Sequence, residues 1–362
     1  MTPGVTRIGG PGHPCATTPV DPLSHHGDRD VAPGMLDFAV NVRGTTPDWL
    51  REVLRARVDD LSTYPSRDDE AAAVAAIAGA HGRDEAEIAV LSGAAEGFAL
   101  AAALRPRHAV VIAPSFTEPE RVLRAAGVRV TRVVLPPPWR LTDAVVPDDA
   151  DLVVVGNPTN PTSVLHPAEA LVALRTPGRV VLVDEAFADV TLAEVGDELV
   201  DEPQSVAGRR LPGLVVLRSV TKTFAVPGLR AGYLVGDADV VARMVVARPH
   251  WPVGTLQLAA VTAALGPTGR DHARTQARQV RDERDTMCRM LSDAGVTVCG
   301  DPQASFVLVH DADALSRRGR LAEAGVAVRR CDTFPGLEDD HLRLAVRARD
   351  DVAALLRAWS AT

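Results

Sequence analysis

GLVVLRSVTKTFAVPGLRAGYL, residues 213–234, is the stretch from which the rest of the chain can be read. It opens as a β-branched, apolar run between turn residues, the pattern of a strand buried on both faces. Lys222 therefore falls just past a strand's carboxyl end, where open α/β sheets place ligands. The chain has 39 Lys plus Arg, and Lys222 is the one lysine among them. Asparagine occurs only as Asn41, Asn157 and Asn160, and tyrosine only as Tyr64 and Tyr233. Ala, Arg, Asp, Val and Pro are abundant instead, a bias of the kind a GC-rich genome produces, which installs Arg wherever positive charge suffices. A lysine that survives such a bias points to chemistry Arg cannot perform. Arg stays protonated, whereas Lys can lose a proton and form a Schiff base with an aldehyde. On composition alone, a surface lysine left by chance is the competing reading. The neighbours of Lys222 decide between the two: Ser219 and Thr221 offer hydroxyls to a phosphate, and Arg230 can pair with one bidentately.

Working outward, similar runs recur as EIAVL (87–91), HAVVIA (108–113), VRVTRVVL (128–135), DLVVVG (151–156), RVVLVDE (179–185) and AGYLVG (231–236). Helical stretches lie between them, and PDWLREVLRARV (47–58) and RDDEAAAVAAIAGAHG (67–82) precede them. This alternation predicts an α/β fold with a mostly parallel, doubly covered sheet. A polar helix over about 268–293, then SFVLV (305–309), a helix near 314–324, GVAVRR (325–330) and HLRLAV (341–346), predict a smaller C-terminal α/β domain. The expected division is an N-terminal arm over 1–35, a large domain over 36–260 with 36–60 contributing to the small one, and a small domain over 261–362. The connection is expected near 250–270, and Pro136-Pro137-Pro138 reads as a stiff loop.

Composition narrows the function classes. A net charge of −8 argues against general nucleic-acid binding. No apolar run approaches the roughly 20 residues of a membrane span, and MTPGVTRIGGPGHPC (1–15) lacks the apolar stretch of a secretion signal. Cys15, Cys288, Cys299 and Cys331 are scattered without CxxC spacing, which predicts no zinc site and fits a reducing cytoplasm.

The remaining motifs follow strands. RVVLVDEAF (179–187) ends a buried strand in Asp184, a carboxylate that needs a partner. GNPTNPTS (156–163) holds two of the three asparagines, LSGAAEGFAL (91–100) joins a strand to a helix whose first amides at Gly93, Ala94 and Ala95 can cradle a phosphate, and APSFTEP (113–119) supplies a flat apolar ring at Phe116. Taken singly, each has a plainer reading: a capping Asp, a Pro turn, a small-residue helix start, a core Phe.

Together, over about residues 25–347, they resemble fold-type-I enzymes that use pyridoxal phosphate (PLP), especially the branch of histidinol-phosphate aminotransferases and threonine-phosphate decarboxylases. The resemblance implies a three-layer PLP-transferase fold with Lys222 as the Schiff-base lysine and Asp184 as the partner that keeps the pyridine nitrogen protonated. Asn160 would bond the cofactor's 3′-oxygen, Phe116 would stack on its ring, and Gly93, Ala94, Ala95, Ser219, Thr221 and Arg230 would hold its phosphate. Ala95 stands where the family often has Asp, Ser163 where it has Gly, and Phe187 where many members have Tyr; the decarboxylases are similar to this chain in having Phe there. Tyr64, in STYPSR (62–67), resembles the tyrosine that reaches the phosphate in the partner subunit, which implies a homodimer with shared active sites. Arg343 in HLRLAVR (341–347) matches the clamp for a substrate α-carboxylate, and Arg329 in GVAVRRC (325–331) the site for a substrate phosphate, with Arg330 and Arg347 able to assist. Asn41 in MLDFAVNVRG (35–44) is an expected substrate contact; Asn157 either contacts substrate or shapes its turn. His26, in HHGD (25–28), is expected to cover the site or to belong to a loose arm.

The implied activity is transfer of an amino group between a small phosphorylated amine such as histidinol phosphate and a 2-oxo acid. Decarboxylation of threonine phosphate in cobalamin synthesis is the alternative on the same machinery. A catalytically silent PLP-fold binding protein is the alternative of another class.

Overall fold

The computed structural model describes Leu23, Gly27 and residues 31–361. His26 and most of the expected arm lie outside the described residues. The described chain opens with β1 (Leu36–Asp37), α1 (Asp48–Arg55) and α2 (Arg67–His81). The bounds of α2 follow from its ends. Ser66 accepts a hydrogen bond from Asp69 N at 3.0 Å, Asp68, Asp69 and Glu70 face the positive end of the helix dipole, and Gly82 closes it at φ +63°.

Strands and helices then alternate: β2 (Ile88–Leu91), α3 (Ala94–Ala101), β3 (His108–Ala113), α4 (Glu118–Ala125), β4 (Arg129–Val134), β5 (Leu152–Gly156), α5 (Ala168–Ala173) and β6 (Val180–Asp184). A hairpin of β7 (Leu192–Val195) and β8 (Glu198–Asp201) interrupts the pattern before β9 (Leu214–Ser219) and β10 (Gly232–Gly236). Seven of these strands form one sheet in the order β2-β10-β9-β6-β5-β3-β4. Only β10 runs antiparallel to its neighbours. The central strands are buried on both faces, which explains their unbroken apolar sequence. Val110, Val153, Val181 and Val216 pack on one face, and Val111, Val154, Leu182 and Val215 on the other. Their alternation reflects the strand period of two.

The C-terminal part follows through α6 (Ala238–Val245), α7 (Thr255–Leu265), α8 (Pro267–Asp293), β11 (Thr297–Val298), β12 (Phe306–His310), α9 (Ala314–Glu323), β13 (Val326–Ala327), β14 (Arg329–Arg330), β15 (His341–Ala345) and α10 (Arg349–Ala361). A second sheet, β11-β12-β15-β14, is antiparallel throughout. Val307, Val309, Leu342 and Leu344 pack there against Met287 and Leu291 of α8 and Leu355 of α10.

Three expectations need correcting. The stretch 250–270, where the connection between domains was expected, contains the helix α7, whose Leu258 and Val261 pack with Ile77 of α2. The stretch 36–60 divides: β1 pairs with β13, but Leu50 of α1 packs in that same cluster with α2 and α7. GVAVRR is two strands broken at Val328, one pairing with β1 and the other with β15. No helix among the described residues is long and apolar enough to cross a membrane.

Candidate active site

The carboxyl ends of β5, β6 and β9 and the turn from β2 into α3 converge on one cavity of about 740 Å³. Its wall includes Asn41, Gly93, Ala94, Ala95, Phe116, Asn160, Asp184, Ser219, Thr221, Lys222, Arg230, Arg329 and Arg343. Lys222 and Asp184 meet because β6 and β9 are parallel neighbours, with Asp184 in register with Leu217. Asp184 accepts a hydrogen bond from Ala186 N at 3.1 Å. Burial pushes its carboxyl up to about 6, and the charge of Lys222 only partly opposes this.

One end of the cavity is an anion cradle. Gly93, at φ +85°, begins α3, and the first amides of a helix lack partners within it. A Cβ at Gly93 would lie 2.8 Å from Arg230 Nη2, so a side chain there would both push this guanidinium off the helix start and strain a left-handed backbone. Arg230 is itself left-handed at φ +58° and donates to Pro227 O at 3.1 Å. Ser219 Oγ and Thr221 Oγ1 lie 2.8 Å apart beside it. Glu96 holds the turn by accepting from Ser92 N at 2.6 Å and pairing with Arg248 at 3.0 and 3.1 Å.

The opposite end is also cationic. Arg343 donates from Nη1 to Asn160 Oδ1 at 2.7 Å and from Nη2 to Ala39 O at 2.5 Å, with its guanidinium 5.4 Å from the centre of the Phe306 ring. Arg329 donates to Thr333 Oγ1 at 2.8 Å and lies over Phe334. Asn41 is buried and its Oδ1 has no hydrogen-bond partner among the described residues. Phe116 and Phe187 supply apolar wall, Phe116 leaning on Phe98 and Phe187 on Phe306.

These residues fit pyridoxal phosphate. The cradle suits its phosphate, the Phe116 wall its ring, and the buried, poorly neutralised Asp184 carboxyl a cationic ring nitrogen. Lys222 supplies the amine, being the one lysine of the chain and part of the cavity wall.

Several expected residues stand elsewhere. Asn157 is 1% exposed and faces away from the cavity. It accepts from His166 N at 2.7 Å and donates to His166 O at 3.2 Å, so it closes the loop and does not line the cavity. Burial holds His166 down at about 4, so its ring is neutral where Nε2 meets Thr159 Oγ1 at 3.1 Å. Arg347 is occupied by Asp37 O and Val40 O at 2.8 and 2.7 Å, and Arg330 pairs with Asp332; neither lines the cavity. Tyr64 lies outside its own chain's cavity, 73% exposed and stacked on Trp251 with ring centres 4.3 Å apart. Thr117, Glu118 and Arg121 of the α4 start line the cavity without having been expected there. A helix following the Phe116 turn was the available signal, and Arg121 had no motif to separate it from the other arginines.

Comparison with known proteins agrees with this geometry. A family model described as aminotransferase class I and II matches residues 33–360. The chain is 49% identical over 346 residues to a histidinol-phosphate aminotransferase of Mycobacterium tuberculosis, covering 95% of this chain and 93% of the relative. It is 30% identical over 341 residues to a threonine-phosphate decarboxylase of Salmonella typhimurium, covering 90% of each. The crystal structure of the histidinol-phosphate aminotransferase from Clostridium acetobutylicum matches the fold with a TM-score of 0.81 at 24% identity, over 90% of this chain and 98% of that one.

Proposed function

The chain belongs to the aminotransferase class I and II family, and from that premise we propose that it is a PLP-dependent aminotransferase moving an amino group between a small phosphorylated amine of the histidinol-phosphate kind and a 2-oxo acid. One observation carries the reading: a single cavity holds Lys222 and Asp184 between two separate cationic ends. The end built by Arg230 and α3 takes the cofactor phosphate. The end built by Arg329 and Arg343 takes the anionic group of each substrate in turn, a phosphate from the amine and a carboxylate from the 2-oxo acid. Bound between them, the cofactor supplies an aldehyde that captures amines and a ring that accepts electrons from the substrate.

The chain's own groups do the rest. Asp184 would place a negative charge where a cationic ring nitrogen can be held, keeping that nitrogen protonated. Lys222 Nζ would hold the cofactor and, when not bonded to it, would act as general base and acid, taking the proton from the substrate's Cα and delivering it to the former aldehyde carbon that receives the amino group. Phe116 and Phe187 keep water from the reacting face. Asn160, already bonded to Arg343, ties the substrate end to the ring. Tyr64 projects from the surface beside Trp251, where it can reach the cavity of a second copy, so the working unit in this reading is a homodimer.

The test is incubation of the purified protein with histidinol phosphate and 2-oxoglutarate; glutamate formation at a rate that depends on both substrates is the expected result. One observation favours a second reading, decarboxylation of threonine phosphate. Phe187 lines the cavity with no hydroxyl to offer, and the resemblance drawn from the sequence implies Phe at this place in the decarboxylases. Carbon dioxide release from threonine phosphate, with no glutamate formed in the first assay, would establish it instead.

A further inference from the structure

A second cavity, of about 250 Å³, lies behind the site, and Ser219 is part of both walls. Arg218 of β9 and Tyr233 of β10, partners in register, line it together with His81, Asp189 and Glu202. Two cross-links there join the segment after β6 to the Lys222 turn. Glu185, next to Asp184, accepts from Arg218 Nη1 at 3.0 Å, and Arg218 lies four residues before Lys222. Asp189 Oδ2 accepts from Thr223 Oγ1 at 2.5 Å, and Thr223 directly follows Lys222. The turn between these anchors is tight. Ala225 N donates to Lys222 O at 3.3 Å, and Ala225 is left-handed at φ +49°, a conformation that persists only where its surroundings impose it.

Asp189 is poorly repaid as a structural group. Its Oδ1 is buried with no hydrogen-bond partner among the described residues. An unsatisfied buried oxygen costs stability, so its retention asks for another explanation. We propose that Asp189 is a positioning residue for Lys222: by holding Thr223 Oγ1 it fixes the turn so that the lysine amine faces Asp184 across the cavity, without itself touching a reacting atom. This rests on Lys222 being the amine that binds the cofactor.

The experiment follows cofactor capture by the full-length, cofactor-free protein, read by the visible absorbance of the linkage. In that step Lys222 Nζ adds to the aldehyde carbon and the carbonyl oxygen leaves as water. Asp189→Ala and Thr223→Val should each slow capture about tenfold, the effect of losing one hydrogen bond to a charged acceptor. The double variant should be no slower than either single one, because both remove the same link. Asp189→Asn keeps an acceptor oxygen and should stay within about twofold of the wild type. Should the alanine variant fail to fold, Thr223→Val and Asp189→Asn decide the matter. Wild-type capture in Thr223→Val, additive losses in the double variant, or no rescue by Asn would overturn the proposal. A wild-type protein that captures no cofactor on Lys222 overturns the parent reading first, and this inference with it.

Discussion

Asp184 and Glu185 leave the same strand one residue apart and meet opposite surroundings. Glu185 turns to the rear and is enclosed by donors: Val206 N at 2.7 Å, Ser205 Oγ at 2.6 Å and Arg218 at 3.0 Å. Arg218 is gripped in addition by both oxygens of Glu202 at 2.6 Å. Burial pushes Glu185 up while Arg218 draws it back, and Glu202 is held down by the same guanidinium. Asp184 turns to the front, is less enclosed, and has only the Ala186 amide and the more distant charge of Lys222 to oppose its rise to about 6. The rear acid is part of a completed ion network that serves the fold. The front acid is shaped for a cation that comes with a ligand, and the two should respond differently to substitution.

The largest effect is expected at the front. Lys222→Ala should bind PLP only non-covalently and lose about 10²–10⁴-fold in turnover, the usual contribution of a positioned acid–base group. The visible absorbance of the imine linkage should disappear with it. Full activity in this variant would erase the distinction between the two faces.

At the rear, Arg218→Met should cost stability instead. Removing one partner from a buried charge network costs about 3–5 kcal/mol, which equilibrium urea unfolding would measure. A loss below about 1 kcal/mol would mean that Glu185 and Glu202 are better solvated than their burial indicates.

Asp184→Asn sharpens the contrast because its effect on the cofactor-free protein should be stabilising. A carboxyl raised from 3.8 to about 6 binds its proton more tightly in the folded chain than in the unfolded one. Its favourable contribution is complete below pH 3.8 and is lost as the pH rises through about 6. The variant should therefore gain up to about 3 kcal/mol over the wild type at pH 8, two pKa units' worth, and nothing near pH 4. Unfolding curves at the two pH values would show it, and the same substitution should weaken PLP binding.

Tyr64→Ala is expected to have the smallest effect, about a tenfold loss of PLP affinity through one lost hydrogen bond to phosphate. The variant cavity of its own chain should be unchanged, since Tyr64 lies outside it. Cofactor titration alongside size-exclusion chromatography would separate loss of the bond from loss of a dimer.

The front was far more legible in the sequence than the rear, for physical reasons. Buried parallel strands have no solvent face, so HAVVIA and RVVLVDE announce themselves as continuous apolar runs, and ligand-binding turns follow their ends. The lone Lys222 stood out against a background of arginine. The rear network is assembled from residues 185, 189, 202, 218 and 223, which the chain brings together only on folding. Arg218 is one arginine among many, and no local pattern marks it. Glu202 arrives on the β7–β8 hairpin, whose short LAEV and ELVD strands are mostly exposed and carry little apolar signal. The helix α7 within 250–270 was not read from the sequence, because its small apolar residues show their purpose only once packed on α2. Of the two readings left open for Asn157, the structure supports the turn-shaping one; three residues along a tight turn were enough to aim its side chain at His166 and that of Asn160 at the cavity.

The most direct measurement is a crystal structure of the protein with PLP. The account predicts continuous density from Lys222 Nζ to the cofactor, with the Asp184 carboxylate about 2.7–2.9 Å from the ring nitrogen and Glu185 still paired with Arg218 behind it. A ring whose nitrogen faces away from Asp184, or a cofactor bonded to no lysine, would contradict it.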